Sequence, residues 1–285
     1  MLPMLGFAAT CSTVHHVSST GADDGDGSIS APWRSLSFAG RQIRPGDTLF
    51  LARNCTWFDE TLVIASAANV TIASYGPSSL PLPLLQMGRA ATMETTCVHL
   101  SGATHTSVRE LQLSGCSTGL AIASAPAAMN VLVEKSTGLS IASAPAAMNV
   151  LVEKMFFRDL RTPFAKYNPA KPDWATAIAL SGAFSNLTVR NNIAARVDSF
   201  FRSGDTIEGL LLSANTVQQC SGNCYFLGTG SGIVMRDNVL LRDLSTRYFL
   251  YGTTDVYAPS LLTAPGPCIT PDGCPLWRAA GSWDR

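Results

Sequence analysis

Charge is scarce in this chain. Only 14% of its 285 residues are Asp, Glu, Lys or Arg, and 20 cations balance 20 anions. A net charge of zero leaves no basic surplus for nucleic acid and no charge run for a membrane surface. Long apolar runs are missing too: no stretch approaches about twenty consecutive apolar residues, the length a bilayer span requires. Helical periodicity is nearly absent, with Arg34 to Ile43 (RSLSFAGRQI) the one amphipathic candidate. The eight cysteines fit no zinc pattern. Three residues separate Cys220 from Cys224, five separate Cys268 from Cys274, and no histidine follows at ligand spacing.

What is present is 46% apolar sequence, enough for a large core and incompatible with disorder. It is organised by repetition. Short strand-like stretches begin at Asn69, Ser107, Asn130, Asn149, Asn186, Gly209 and Gly232, at steps of 38, 23, 19, 37, 23 and 23 residues. The base period is 23, and the two long steps read as one coil plus an inserted loop. Asn192, Asn215 and Asn238 fall 23 apart behind three of these strands. Asparagine tolerates the left-handed conformation of a sharp turn, and its amide can bond backbone or an asparagine one coil away. Strands rich in Val, Ile and Leu suit parallel packing inside a solenoid. One 19-residue unit is written twice, from Ser117 to Lys154, with Ala121 in the first copy and Ser140 in the second. It reads as nearly a full added coil lacking its third strand. The alternative is a segment duplicated in assembly of the gene.

Three short strands per turn of about 23 residues is the arithmetic of a right-handed parallel β-helix. Here the chain resembles the pectin-lyase-like right-handed β-helix family. His16 to Trp57 (HVSSTGADDGDGSISAPWRSLSFAGRQIRPGDTLFLARNCTW) looks like that family's opening. An extended strand, an Asp/Gly-rich loop, a Pro-Trp pair, a capping helix and a PGDT turn lead into the first coil. The expected fold class is therefore all-β: a solenoid over residues 16–251 with a short N-terminal capping helix, preceded by a candidate leader (1–15) and followed by a cap or tail (252–285). The same scaffold carries lyases, hydrolases, epimerases and inert surface proteins, so the resemblance speaks to fold more than to function.

A 23-residue period stacks Ala179, Arg202, Tyr225 and Tyr248 in one column on the first strand of successive coils, and alternation turns that column outward. A cation beside aromatic faces suits acidic sugars. The inserted loop from Arg161 to Ala175 is expected to wall the same face with Lys166, Lys171 and Trp174. Eliminative cleavage of a uronate polymer needs a base for the proton α to the carboxylate and a cation to neutralise that carboxylate. Arg202 with Lys166 or Lys171 could fill these roles, with Tyr225, Tyr248, Asp198 and Trp174 binding substrate. Calcium-dependent lyases of this fold show clustered acids, and only Asp198 and Asp205 lie near, so calcium is an open cofactor question. Hydrolysis needs two opposed carboxylates, and no convincing outward pair is present.

The start, MLPMLGFAATCS, has the apolar core of a secretory leader without a basic n-region. Three Asn-x-Thr triplets, at Asn54, Asn69 and Asn186, and the cysteines lean towards an extracellular route. The expected partner is a polysaccharide, for a monomeric chain with no nucleic acid and no membrane span. Two readings stand: a polysaccharide lyase or epimerase acting on an acidic polymer, and a non-catalytic surface or glycan-binding β-helix.

Overall fold

The computed structural model describes residues 12–88, 95–123, 147–160, 175–220, 224–241, 248–250 and 256–263, with 147–148 and the last two spans as backbone only. Its strands are short and every strand pairing is parallel, in two sheets. Each coil contributes three strands. In one coil they are Thr176–Ser181, Phe184–Arg190 and Ile193–Val197. The next coil stacks Ser199–Ser203, Ile207–Ser213 and Thr216–Cys220 on them in that order. First strands form a seven-stranded sheet; second and third strands join into a longer one through Gly230–Leu241, which runs along both faces. The stacking continues past Gly252, where Val256 faces Ile233.

Three inward columns fill the interior. On the first face Leu62, Val98, Leu120, Ile178, Phe201 and Tyr225 lie one above another. On the second, Leu49 and Ile72 begin a line that ends at Leu212 and Met235. On the third, Trp57 and Leu85 begin one that ends at Val217 and Leu240. All of these side chains are buried in one continuous core. Because each coil touches only its neighbours, this column packing is the main cohesive term of the fold.

The turn between second and third strands is built by asparagine. Asn192, Asn215 and Asn238 are fully buried. The Nδ2 of Asn192 donates to Oδ1 of Asn215 at 2.9 Å, and that of Asn215 to Oδ1 of Asn238 at 2.9 Å. The other Nδ2 proton of each goes to a main-chain carbonyl, of Val152, Val189 and Leu212 respectively. Buried polar groups are tolerated when paired like this. The residue before each ladder asparagine has positive φ: Asn191 55°, Ala214 51°, Asp237 57°.

At the N-terminal end the amphipathic stretch forms the expected helix, Leu36–Gln42, with Ser35 as N-cap accepting from the Phe38 N–H at 3.2 Å. Its buried face, Leu36, Ala39 and Gly40, covers the first coil. Gly40 is required there, because a Cβ would collide with the Val63 carbonyl.

The duplicated block corrects the sequence expectation of an added coil. Thr118–Ala123, from the first copy, stacks directly between Thr96–Ser101 and Thr176–Ser181. Leu151–Glu153, from the second copy, stacks directly between Ser107–Arg109 and Phe184–Arg190. The ladder thus takes its first strand from one copy and its second strand from the other. The strand expected from Asn130 lies outside the described residues.

Candidate functional site

The outer surface of the first face follows from strand alternation. Its central outward column reads Val63, His99, Ala121, Ala179, Arg202, Phe226. A parallel outward line holds Ser101, Ala123 and Ser181. Stacked strands lie about 4.8 Å apart, so His99 and Arg202 are roughly 14 Å apart along the axis. In that column the positions between them are Ala121 and Ala179. This is a smooth shelf with an imidazole at one end and a cation on an aromatic ring at the other.

The Arg202 guanidinium lies over the Phe226 ring, 5.6 Å from its centroid. The ring holds the cation by its negative face while the fork of N–H donors stays available for a carboxylate. Arg202 forms no ion pair with a described carboxylate, unlike Arg53 with Glu110 (2.8 Å) and Arg190 with Glu153 (2.9 Å). At the other end, Nε2 of His99 is 3.1 Å from the Ser101 hydroxyl. Burial lowers the imidazole's pKa, so His99 is neutral at neutral pH.

The predicted column is right at Ala179 and Arg202 and wrong above them. Phe226, not Tyr225, faces Arg202, and Phe249 faces Phe226. Tyr225 points inward, 0% exposed, with its ring packed edge-on against Phe200 at 5.5 Å. Desolvation raises its phenol pKa. It cannot stack on a bound sugar. The cause is a single residue: Val197 faces Cys220, 23 positions on, but Phe201 faces Tyr225, 24 positions on. The corner between Cys220 and Tyr225 carries one extra residue, and a shift of one exchanges the two faces of a strand. The Tyr248 backbone stacks on Tyr225, while its side chain lies outside the described residues, as do Lys166, Lys171 and Trp174.

Asp198 also departs from expectation. It is nearly buried, 9% exposed, in the corner before Ser199–Ser203. The Asp205 carboxylate accepts the Gly182 N–H at 2.6 Å. Among the described residues no three His, Cys, Asp or Glu side chains converge on a metal position. Asp198 and Asp205 lie just outside opposite ends of one strand, Ser199–Ser203. Sequence reasoning missed His99 and Phe226. The alternation of Cys97 to Ser101 (CVHLS) marks His99 as outward between buried Val98 and Leu100. Nothing in the period marks Phe226.

Cys97–Cys116 and Cys220–Cys224 form disulfides, each with its Cα atoms 5.8 Å apart; the first joins a first strand to the corner that ends the same coil, and the second spans the corner leading back to a first strand. No described helix is long and apolar enough to cross a membrane.

These features define a right-handed parallel β-helix with a capping helix at its N-terminal end. Its fold is similar to that of a GH136 lacto-N-biosidase from Eubacterium ramulus, with 14% identity over 88% of this chain and 56% of that one, at a TM-score of 0.52. The chain thus spans little more than half of that enzyme's length. A rhamnogalacturonan lyase (9% identity, 88% of this chain and 66% of that one, TM-score 0.38) and a pectate lyase (10%, 86% and 79%, 0.38) align more distantly. At these identities the likeness concerns the fold alone. No protein-family model and no curated protein matches the chain.

Proposed function

We propose that this is a secreted carbohydrate-active β-helix protein that binds an acidic polysaccharide along the shelf between His99 and Phe226. One observation carries the reading: Arg202, seated on Phe226 and forming no ion pair with a described carboxylate, adjoins alanines that leave room for sugar rings. The guanidinium takes the uronate carboxylate in a bidentate contact, and the ring offers an apolar face to the sugar. In the lyase or epimerase form of this reading, Arg202 neutralises the carboxylate so that its α-proton becomes acidic. Lys166 or Lys171 then serves as the base. The disulfides support an oxidising compartment and hence secretion.

A second reading, glycan binding without catalysis, is favoured by the shelf's composition. Its described outward positions carry one arginine, one histidine and no carboxylate, so no acid pair of a hydrolase stands among the described residues there. Both readings meet the same test. Titrating oligomers of pectate, alginate and glycosaminoglycans into the protein should reveal at least one ligand. Arg202→Ala should weaken it at least tenfold, and Arg236→Ala, an exposed cation on the second face, should not. Equal losses from the two substitutions would remove the site from this face. Growth of unsaturated-uronate absorbance on the same panel separates lyase from binder.

A further inference from the structure

The Asn-x-Thr triplets play no part in the shelf, and a left-handed bend at or near the start of the second strand explains two of them. That bend repeats one left-handed backbone position on successive coils. Asn69, His105, Asn149 and Asn186 occupy it at φ 55°, 52°, 54° and 56°, followed by Gly209 and Gly232 at 69° and 63°. The pairing of Thr71 with Ser107, Ser107 with Leu151, and Leu151 with Thr188 puts Asn69 and Asn186 on one line.

The chain's asparagines divide by use. Asn192, Asn215 and Asn238 are buried in the ladder, and none of them begins a triplet. Asn149 is exposed, but its amide contacts the His105 ring at 3.1 Å and the residue two places on is Leu151. Asn69 and Asn186 are exposed, their amides bond no described residue, and each is followed two places on by a partly exposed threonine, Thr71 or Thr188. On the coil after Asn186 stands Gly209, where even a Cβ would come within 3.0 Å of the Asn186 Oδ1. A bare backbone there leaves the amide uncovered.

We infer that Asn69 and Asn186 are acceptors of N-linked glycans, an inference that rests on the secretory reading above. The donor class is a lipid-diphosphate-linked oligosaccharide. The asparagine Nδ2 forms a bond to the anomeric carbon of the first sugar. The bond from that carbon to the diphosphate oxygen breaks, the lipid diphosphate departs with the electron pair, and one amide proton is released. The left-handed bend keeps both amides off the core, so a bulky glycan displaces no packed side chain. Both glycans stand at the border of the shelf, not on it. Asn54 is excluded from the inference: it lies at another bend, and its triplet's central residue, Cys55, has its thiol 3.6 Å from the Ser18 hydroxyl.

The test is secretion of the full chain from a eukaryotic cell, followed by peptide mapping after peptide-N-glycosidase treatment in heavy-oxygen water. Labelled Asp is expected at both positions in more than half of the molecules. Asn69→Asp and Asn186→Asp should each remove one glycosidase-sensitive step in gel mobility, and Asp tolerates the left-handed bend as Asn does. Thr188→Ala should remove the Asn186 step with the asparagine intact. Unmodified asparagine at either position, in secreted chain with both disulfides formed, overturns the inference and leaves the secretory reading standing. A chain retained in the cell with reduced cysteines sinks both.

Discussion

Deleting residues 136–154 removes one copy of the duplicated unit and should leave the solenoid intact. In the shortened chain Thr118–Ala123 keeps its place between Thr96–Ser101 and Thr176–Ser181. Leu132, Val133 and Glu134 then occupy the places of Leu151, Val152 and Glu153 with identical side chains, and Met155 follows Lys135 as it now follows Lys154. Every register around the block is preserved. What changes is the connection from first to second strand, which shortens from 27 residues (124–150) to eight (124–131). Loop-closure entropy scales as (3/2)RT ln n, so the deletion stabilises by about 1 kcal/mol. In a chain of this size that raises Tm by roughly 2–4 °C. Deleting residues 117–135 instead yields the same protein with Ser in place of Ala121, on the outward column, and should behave alike. Thermal melts followed by circular dichroism, with urea midpoints, decide the matter. A fall in Tm of more than about 5 °C for both deletions, or loss of cooperativity, would mean that the extra copy supplies core contacts and that the reasoning from register fails.

Other substitutions probe the ladder, the shelf and the second-face ion pairs. Asn215→Ala strips partners from the Asn192 N–H and side chain, the Val189 carbonyl and the Asn238 Oδ1. With unsatisfied buried groups costing roughly 1–3 kcal/mol each, the urea midpoint should fall by the equivalent of about 3–5 kcal/mol. Because burial lowers the His99 pKa below its unfolded value of 6.5, the unfolded chain takes up that proton first as pH falls. His99 therefore favours folding at pH above 6.5, and this contribution is lost progressively below it; His99→Gln should flatten stability against pH in that window. Glu110, its pKa lowered by the Ser74 hydroxyl and then by Arg53, contributes stability above the usual glutamate range that disappears as pH falls through its folded value. Glu110→Gln should remove that acid-side dependence in the same melts.

Most of the fold is written in the 23-residue period, because stacked coils require equivalent residues at equal spacing. Asn192, Asn215 and Asn238 announce the ladder for a physical reason: few other side chains both accept and donate between coils in a dry turn. The candidate site was half legible. Arg202 lies on a coil of regular length and was placed correctly. Tyr225 lies one corner later, where the count slips by one. The duplicated block was illegible for a different reason. Two copies that differ only at Ala121 and Ser140 carry no signal of which strand of which copy joins the ladder.

Both outcomes follow from how a solenoid counts residues. An insertion at a corner can be absorbed whole if the strands beyond it resume in register, so the ladder loses no pairing around a 19-residue duplication. A single residue between Cys220 and Tyr225 is not absorbed in this way; it rotates the next strand and exchanges its inside with its outside. That exchange sets the chemistry of the shelf. Had the count held at 23, a tyrosine would stand beside Arg202, offering a hydroxyl to the sugar. With 24, Phe226 stands there and the phenol of Tyr225 is sealed in the core. The aromatic end of the shelf is thus purely apolar, able to stack on a ring but not to bond its hydroxyls. On the proposed reading, selectivity for an acidic sugar among the described residues at that end rests on Arg202.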